Sequence, residues 1–357
     1  MQVSEVVSIQ QNFLTELKDA NSGKKTSLPF IIHQLPESSL VKDGEVFQVI
    51  VIGGSVCWKA FVKKEAGKIK VLKQLGINPV FLIKYQDLPD FIERELDKNV
   101  RVLAINFAFP MDPIFEKGRL DGKLISGSKE YEFKGLIDKK VGEEIEKYVQ
   151  KKQNRKITVS VANDTICLLL SGLTKFSWEQ LVGGIVGTGI NFAFFLDEKK
   201  LVNLEAANFD KFLLSNEAKE LDKSSVHPGR ALLEKEVSGA YLYKLFNTAL
   251  NKQNLNHQPL SSTKDLDELM IGEDKKLANL AKHFMDRSSE LVSVEMGGIA
   301  LFKKTNLVFI MEGSLFWLGL GYKRHIKAIL DKTIPDLDIK FTKIENSTVL
   351  GAAKLVC

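Results

Sequence analysis

The stretch "VSVANDTICLLLSG" (residues 159–172) sets one acidic residue, Asp164, between a β-branched run and a solid apolar one. A carboxylate so placed does one of two things. It caps the helix that begins there, or it faces the crevice beyond the C-terminal end of a strand, where open α/β sheets bind ligands, and takes a proton from an attacking hydroxyl. Glu205 in "LVNLEAANF" and Glu234 in "ALLEKEVSG" also sit at the edges of apolar runs. As solvated ends of helices or strands they need no further role. Turned inward with Lys129, Asn163 and Asn191, they supply the short polar groups that a polyhydroxylated ligand requires. Two glycine corners join this set, Gly53-Gly54 within "EVFQVIVIGGSVCWKAFVKK" (45–64) and the corner of "GGIVGTGINFAFFL" (183–196). Backbone N–H groups with no side chain in the way approach a phosphate closely, although most glycine hairpins are purely structural.

Holding these groups takes a framework of strands and helices. With 357 residues, 44% of them hydrophobic, the chain can bury a large core and reads as two lobes. Residues 45–64 predict a strand, a tight glycine turn and a returning strand, with a third strand at "KIKVL". A helix at "LPDFIERELDKN", a buried strand at "VRVLAINFAFP" ended by Pro110, and an amphipathic helix at "VGEEIEKYVQKK" lead to the strand "KITVSVANDT". This alternation predicts an α/β fold with a partly parallel sheet. The second glycine hairpin follows the first by roughly 130 residues, which suggests two lobes on one plan. Ahead of them, Val6, Ile9, Phe13 and Leu17 fall on one face of an N-terminal helix. The remainder is mostly helical, interrupted by the strand "NLVFIMEGS"; the polar stretch "NKQNLNHQPLSSTKDLDE" reads as a loop.

Composition narrows the function classes. The formal charge of +5 is a small excess of 50 basic over 45 acidic residues, spread along the chain, which argues against a nucleic-acid partner. Cys57, Cys167 and Cys357 lie far apart with no CxxC spacing and no Cys/His cluster, so they are expected as free thiols in a reducing compartment and no metal site is assigned. The N-terminus lacks the basic start and unbroken apolar core of a secretory signal, and nowhere do 18 apolar residues run together. A soluble cytoplasmic protein without a membrane partner, monomeric or homodimeric, is the expectation.

Taken in order, several motifs resemble the hexokinase family, the sugar kinases of the actin-like ATPase superfamily. "SLPFIIHQLP" is similar to the family's stretch before its first phosphate hairpin, "INFAFP" to its strand ending in Ser-Phe-Pro, and "LISGSKEYEFKG" to its Thr-Lys sugar segment. "VANDT" resembles the catalytic Asn-Asp, "GGIVGTGINFAFF" the second phosphate hairpin with its sugar-contacting Asn, and "VNLEAANF" the Asn-Met-Glu segment. "HPGRALLEKEVSGAYL" resembles the Asn-Pro-Gly helix with its Glu, and "FIMEGSLF" the Asp-Gly-Ser adenosine element. The likeness covers nearly the whole chain. It implies a two-lobed actin-like ATPase (ribonuclease H-like) fold with a cleft between lobes. The smaller lobe would span 45–162, the larger 1–44 and 163–348, and a closing helix 349–357. It also implies ATP-dependent phosphorylation of a hexose, glucose foremost, at its 6-hydroxyl, with ATP accompanied by Mg²⁺. Asp164 would be the general base. Ser128, Lys129, Asn163, Asn191, Glu205 and Glu234 would hold the sugar, with Lys129 also offsetting charge on the transferring phosphoryl. Gly53, Gly54, Ser55, Gly187, Thr188 and Gly189 would meet the phosphates, and Gly313 with Ser314 the adenosine. Such a transfer depends on positioning, electrostatics and exclusion of water.

The departures from the family pattern are specific. The first hairpin of the family reads Asp-x-Gly-Gly-Thr-Asn-x-Arg, and its Asp helps to organise Mg²⁺. Here Val51, Ser55, Val56 and Trp58 occupy the aligned positions, Ala108 replaces the serine of Ser-Phe-Pro, and Glu130 follows the lysine. Two further readings therefore accompany the kinase. One is a hexokinase-like protein that binds sugar and acts as a sensor or regulator with weakened catalysis; the other is a kinase of the same superfamily acting on a different polyol or acid. The carboxylate retained among apolar neighbours, costly if idle, favours the enzyme.

Overall fold

The computed structural model describes residues 1–53, 57–78, 82–125 and 134–357. The chain opens with helix α1 (Val3–Asn21), whose buried Val6, Ile9, Phe13 and Leu17 keep the expected helical spacing. Strand β1 (Ile31–Gln34) precedes β2 (Val46–Ile52), β3 (Cys57–Glu65) and β4 (Lys68–Ile77), the last two joined at Ala66 and Gly67. Helix α2 (Asp87–Glu95), strand β5 (Val102–Phe107), the hairpin of β6 (Met111–Glu116) and β7 (Arg119–Leu124), helix α3 (Val141–Gln153), strand β8 (Thr158–Ala162) and helix α4 (Asp164–Ser171) follow. Next come β9 (Leu181–Val186), β10 (Ile190–Phe195) and β11 (Lys200–Asn203). The helical part holds α5 (Asn216–Ser224), α6 (Leu232–Val237), α7 (Leu242–Lys252), α8 (Lys264–Met270) and α9 (Lys275–Lys303). Strand β12 (Leu307–Glu312), α10 (Ser314–Leu318), α11 (Tyr322–Thr333), β13 (Ile339–Thr342) and α12 (Ser347–Lys354) close the chain.

One sheet has the order β4-β3-β2-β5-β8 and the other β1-β11-β10-β9-β12-β13. In the first, β2, β5 and β8 run parallel while β3 returns antiparallel to β2, as the alternation of strands and helices predicts. The chain forms two compact units: a first of 1–30, 184–192 and 204–342, and a second of 31–183, 193–203 and 343–357. The second unit thus takes in more than the expected 45–162, because β1 pairs with β11 and α12 packs on α4. Among the described residues no helix is long and apolar enough to cross a membrane.

The period-2 pattern builds the core of the second unit. Ile50 and Ile52 on β2, Leu103, Ile105 and Phe107 on β5, and Val159 and Val161 on β8 project to one face and bury Phe91, Ile92, Ile145 and Val149 of α2 and α3. Each such side chain contributes about 1.5–3 kcal/mol. In the first unit α1 lies on α9. A Cβ on Gly297 or Gly298 would come within 2.5 Å of Gln10 or Phe13, so these two small residues set the close approach of the helices.

Among the elements that escape the sequence reading, the β6–β7 hairpin and α8 are the most informative. The β6–β7 hairpin carries buried polar groups: Arg119 pairs with Asp121 at 2.9 Å and Glu146 at 2.9 Å, and Asp121 also accepts the N–H groups of Gly142 and Glu143. Strand β7 therefore buries Arg119 and Asp121 on one face and only Leu120 and Leu124, around Gly122, on the other, which weakens its hydrophobic signature. The second is α8, within the stretch expected as a loop. Its first turn is tied down by Asp265, which accepts the N–H of Ser261 at 3.0 Å and of Ser262 at 2.9 Å, and Leu266 is the side chain it buries.

Candidate active site

In the second unit, the C-terminal ends of β2, β5 and β8 come abreast. Val51 pairs in register with Asn106, and Asn106 with Ala162, so all three side chains lie on the face opposite the α2–α3 core. Val51 is buried, and Asn106 is buried with neither amide atom hydrogen-bonded among the described residues. Gly53 ends β2, and the N–H of Ala108 bonds to Ile52 at 3.0 Å. Just beyond β8 stand Asn163 and Asp164, both half-buried. The capping role considered for Asp164 belongs to Asn163 instead: its Oδ1 accepts the N–H of Ile166 at 2.9 Å. The reason is one of register, since Asp164 is already the first helical residue and Asn163 keeps the extended backbone that an N-cap requires. Asp164 Oδ1 accepts the N–H of Thr165 at 2.8 Å and its hydroxyl at 3.3 Å. Beneath it, burial first and the Asp164 charge second push the Cys167 thiol well above its ordinary pKa, leaving an inert neutral side chain.

In the first unit, residues 187–189 turn β9 into β10. Gly187 donates to the carbonyl of Gly189 at 3.0 Å, Gly239 donates to Gly187 at 2.7 Å, and Ala240 to Thr188 at 3.3 Å. Side chains are excluded from this crossing: a Cβ on Gly239 would lie 2.8 Å from the Gly187 carbonyl oxygen, and one on Gly313, at φ 109°, 2.1 Å from that of Val186. Thr188 and Ser314 remain exposed at its rim. A cavity of about 430 Å³ opens from it, lined by Gly187, Thr188, Gly239, Thr263, Lys264, Asp267, Ser314, Leu315 and Leu318. A cavity of this size beside glycine backbone has the room of a small-molecule site. Gly313→Ala is expected to lower Tm by several degrees, because the left-handed backbone and the approach to Val186 both forbid a methyl group; a thermal melt checks this.

Beside the same turn, three predicted residues separated in sequence come together. Glu234 Oε2 accepts the N–H of Ile190 at 3.4 Å, next to Asn191. Asn191 Oδ1 accepts the N–H of Phe192 at 2.8 Å and of Ala206 at 3.2 Å, next to Glu205. Glu205 has φ 50°, in the left-handed region, as do nine other described non-glycine residues of the chain. Its carbonyl accepts from both nitrogens of Asn208, at 3.0 Å from the backbone and 3.1 Å from the side chain, which holds the turn in place.

The predicted site residues thus divide. Asn191, Glu205, Glu234, Gly187, Thr188, Gly189, Gly313 and Ser314 gather in the first unit, while Gly53, Asn163 and Asp164 stand at the strand ends of the second. Gly54, Ser55, Ser128 and Lys129 lie outside the described residues. Sequence reasoning missed the α8 wall of the cavity, whose one local signal was the turn chemistry of Asp265. Val51 offers no ligand to a cation, and no group of three or more His, Cys, Asp or Glu side chains is placed for a metal among the described residues. No residue is therefore assigned to Mg²⁺.

Two family models described as hexokinase match the chain, over residues 72–174 and 181–270, together more than half of it. Rat Hexokinase-1 is 25% identical over 328 residues, covering 74% of this chain and 35% of that protein. The hexokinase of Schistosoma mansoni is 29% identical over 184 residues, covering 46% of this chain and 40% of that protein. The chain thus matches well under two thirds of the length of these curated relatives. Among solved structures, the Schistosoma mansoni hexokinase complexed with glucose superposes with a TM-score of 0.76 at 19% identity, covering 100% of this chain and 95% of that one. A second hexokinase crystal structure reaches 0.78 at 19% identity, covering 100% and 96%. These likenesses show the actin-like ATPase fold expected from the sequence, and with the two matched models they make this chain a member of the hexokinase family.

Proposed function

We propose that this protein phosphorylates a hexose, with glucose the first candidate, by transferring the terminal phosphoryl of ATP to the sugar's 6-hydroxyl. The observation that carries this reading is the meeting of Asn191, Glu205 and Glu234 beside the Gly187-Thr188-Gly189 turn, which opens into a cavity of nucleotide size. Amide and carboxylate groups together donate to and accept from a sugar's hydroxyls. Family membership and the glucose bound by the schistosome relative support the choice of ligand.

In this reading Asp164 takes the proton of the 6-hydroxyl as its oxygen bonds to the γ-phosphorus, while the bond from that phosphorus to the β,γ-bridging oxygen breaks and ADP leaves. Asn163, whose Oδ1 is committed to its helix, offers its Nδ2 to the sugar. Ser128 and Lys129 join Asn191, Glu205 and Glu234 on its hydroxyls. Gly53, Gly54, Ser55 and residues 187–189 receive the phosphates, and Gly313 with Ser314 the adenosine. ATP would be taken together with Mg²⁺, which would offset charge on its phosphates. The free cysteines fit the reducing cytoplasm, where glucose phosphorylation feeds glycolysis. ADP formation measured with glucose, mannose and fructose is the test. Sugar-dependent release is expected; no release with any hexose across several nucleoside triphosphates rejects the proposal.

A further inference from the structure

Asp267, on α8, lines the cavity beyond the glycine turn. Its Oδ1 accepts the N–H of Leu320 at 2.9 Å, which pins the carboxylate to the segment after α10. Burial raises its pKa, only partly offset by that bond. Among the described residues no cation stands within ion-pair distance and nothing donates to Oδ2. A carboxylate half removed from water without a counter-charge is a cost to the fold. A ligand that brings N–H donors lowers that cost, and charge-assisted bonds of this kind are about twice as strong as neutral ones. Leu315 and Leu318, on the same cavity wall, offer apolar surface to a planar ring.

We propose that Asp267 selects the nucleobase, reading N–H donors on its edge, and that the cavity consequently takes guanine nucleotides at least as well as adenine nucleotides. Guanine presents N1–H and the 2-amino group side by side and donates twice to one carboxylate; adenine donates once, from its 6-amino group; uracil lacks the paired donors. Hypoxanthine keeps N1–H and loses the 2-amino group, which isolates one bond. This inference rests on the kinase reading, since it assumes that the cavity is the nucleotide site.

Calorimetry on the full chain with ADP, GDP, IDP and UDP tests it. Expected are GDP binding no weaker than ADP, IDP weaker than GDP by about tenfold, the loss of one hydrogen bond to a charged group, and UDP weakest. Asp267→Asn keeps the acceptor for Leu320 while placing an opposing NH₂ before guanine. It should weaken GDP by tenfold or more and ADP by less than threefold, with Tm unchanged. Equal loss for both nucleotides, no loss for either, or wild-type UDP binding as tight as GDP overturns the role of Asp267 even where ADP binds and hexose turns over. Absence of binding by every nucleotide overturns it together with the kinase reading.

Discussion

Replacing Asp164 with alanine is expected to lower kcat for hexose phosphorylation by about 10³-fold, within the range for removing a positioned general base, while KM for the sugar changes by less than about threefold. The fold should survive. Asn163 caps α4 through its own Oδ1, so the substitution leaves the cap in place while it removes a carboxylate near a helix N-terminus and its bonds to Thr165. That loss is about 0.3–1 kcal/mol, a shift of only a few degrees in Tm. Asn163→Ala separates the two roles: it should cost about 1 kcal/mol of stability as a lost cap. Steady-state kinetics and thermal melts on both variants check this. An Asp164→Ala protein with kcat within tenfold of the parent removes Asp164 from the chemistry.

The second large effect concerns Glu295, in the middle of α9. It is fully buried, and neither carboxyl oxygen has a hydrogen-bond partner among the described residues. Burial alone raises its pKa well above the usual carboxylate value of 4.5. In the folded protein it therefore keeps a proton that the unfolded chain gives up. Its contribution to stability is fully present below about pH 4.5 and is lost as pH rises through the folded pKa, at up to about 1.4 kcal/mol per pH unit between the two values. Glu295→Gln should match the parent near pH 4.5 and become progressively more stable than it toward pH 8. Glu295→Met, which also removes the unsatisfied polar group, should gain about 1–3 kcal/mol even at acidic pH. Urea unfolding from pH 4.5 to 8 reads both. A stability difference that stays flat with pH would mean that Glu295 does not hold its proton in the folded protein.

The framework was legible where one physical signal dominated. The strands around Gly53 and around 187–189 announce themselves through β-branched runs broken by glycine, and α1 through Val6, Ile9, Phe13 and Leu17 at helical spacing. The β6–β7 hairpin was not legible, because Arg119 and Asp121 are buried as a hydrogen-bonded pair, which leaves Leu120 and Leu124 as the strand's whole apolar signal. Helix α8 was hidden by its length and polarity, and with it the cavity wall carrying Lys264 and Asp267. At the site, Asp164, Asn191, Glu205 and Glu234 could be picked out by residue type and order. Which residue caps α4 depended on a backbone difference between adjacent residues, and the left-handed Glu205 on a bond network across the first unit, and neither leaves a mark in composition.

The departures also gain physical content. Val51 is buried beside Asn106, whose amide has no partner among the described residues, so a polar group does remain at the strand ends where the family carries an acid. It is sealed from solvent, and Val51 itself brings no charge to a metal. Rates are accordingly expected to depend on how well the nucleotide carries its own Mg²⁺.

Phosphorus NMR of the mixture of this protein, glucose and Mg-ATP is the most direct measurement. The account predicts a sugar phosphate ester at carbon 6 growing in step with ADP, and neither signal with 6-deoxyglucose. Glucose bound with no ester formed, or ADP released at the same rate without sugar, would contradict it.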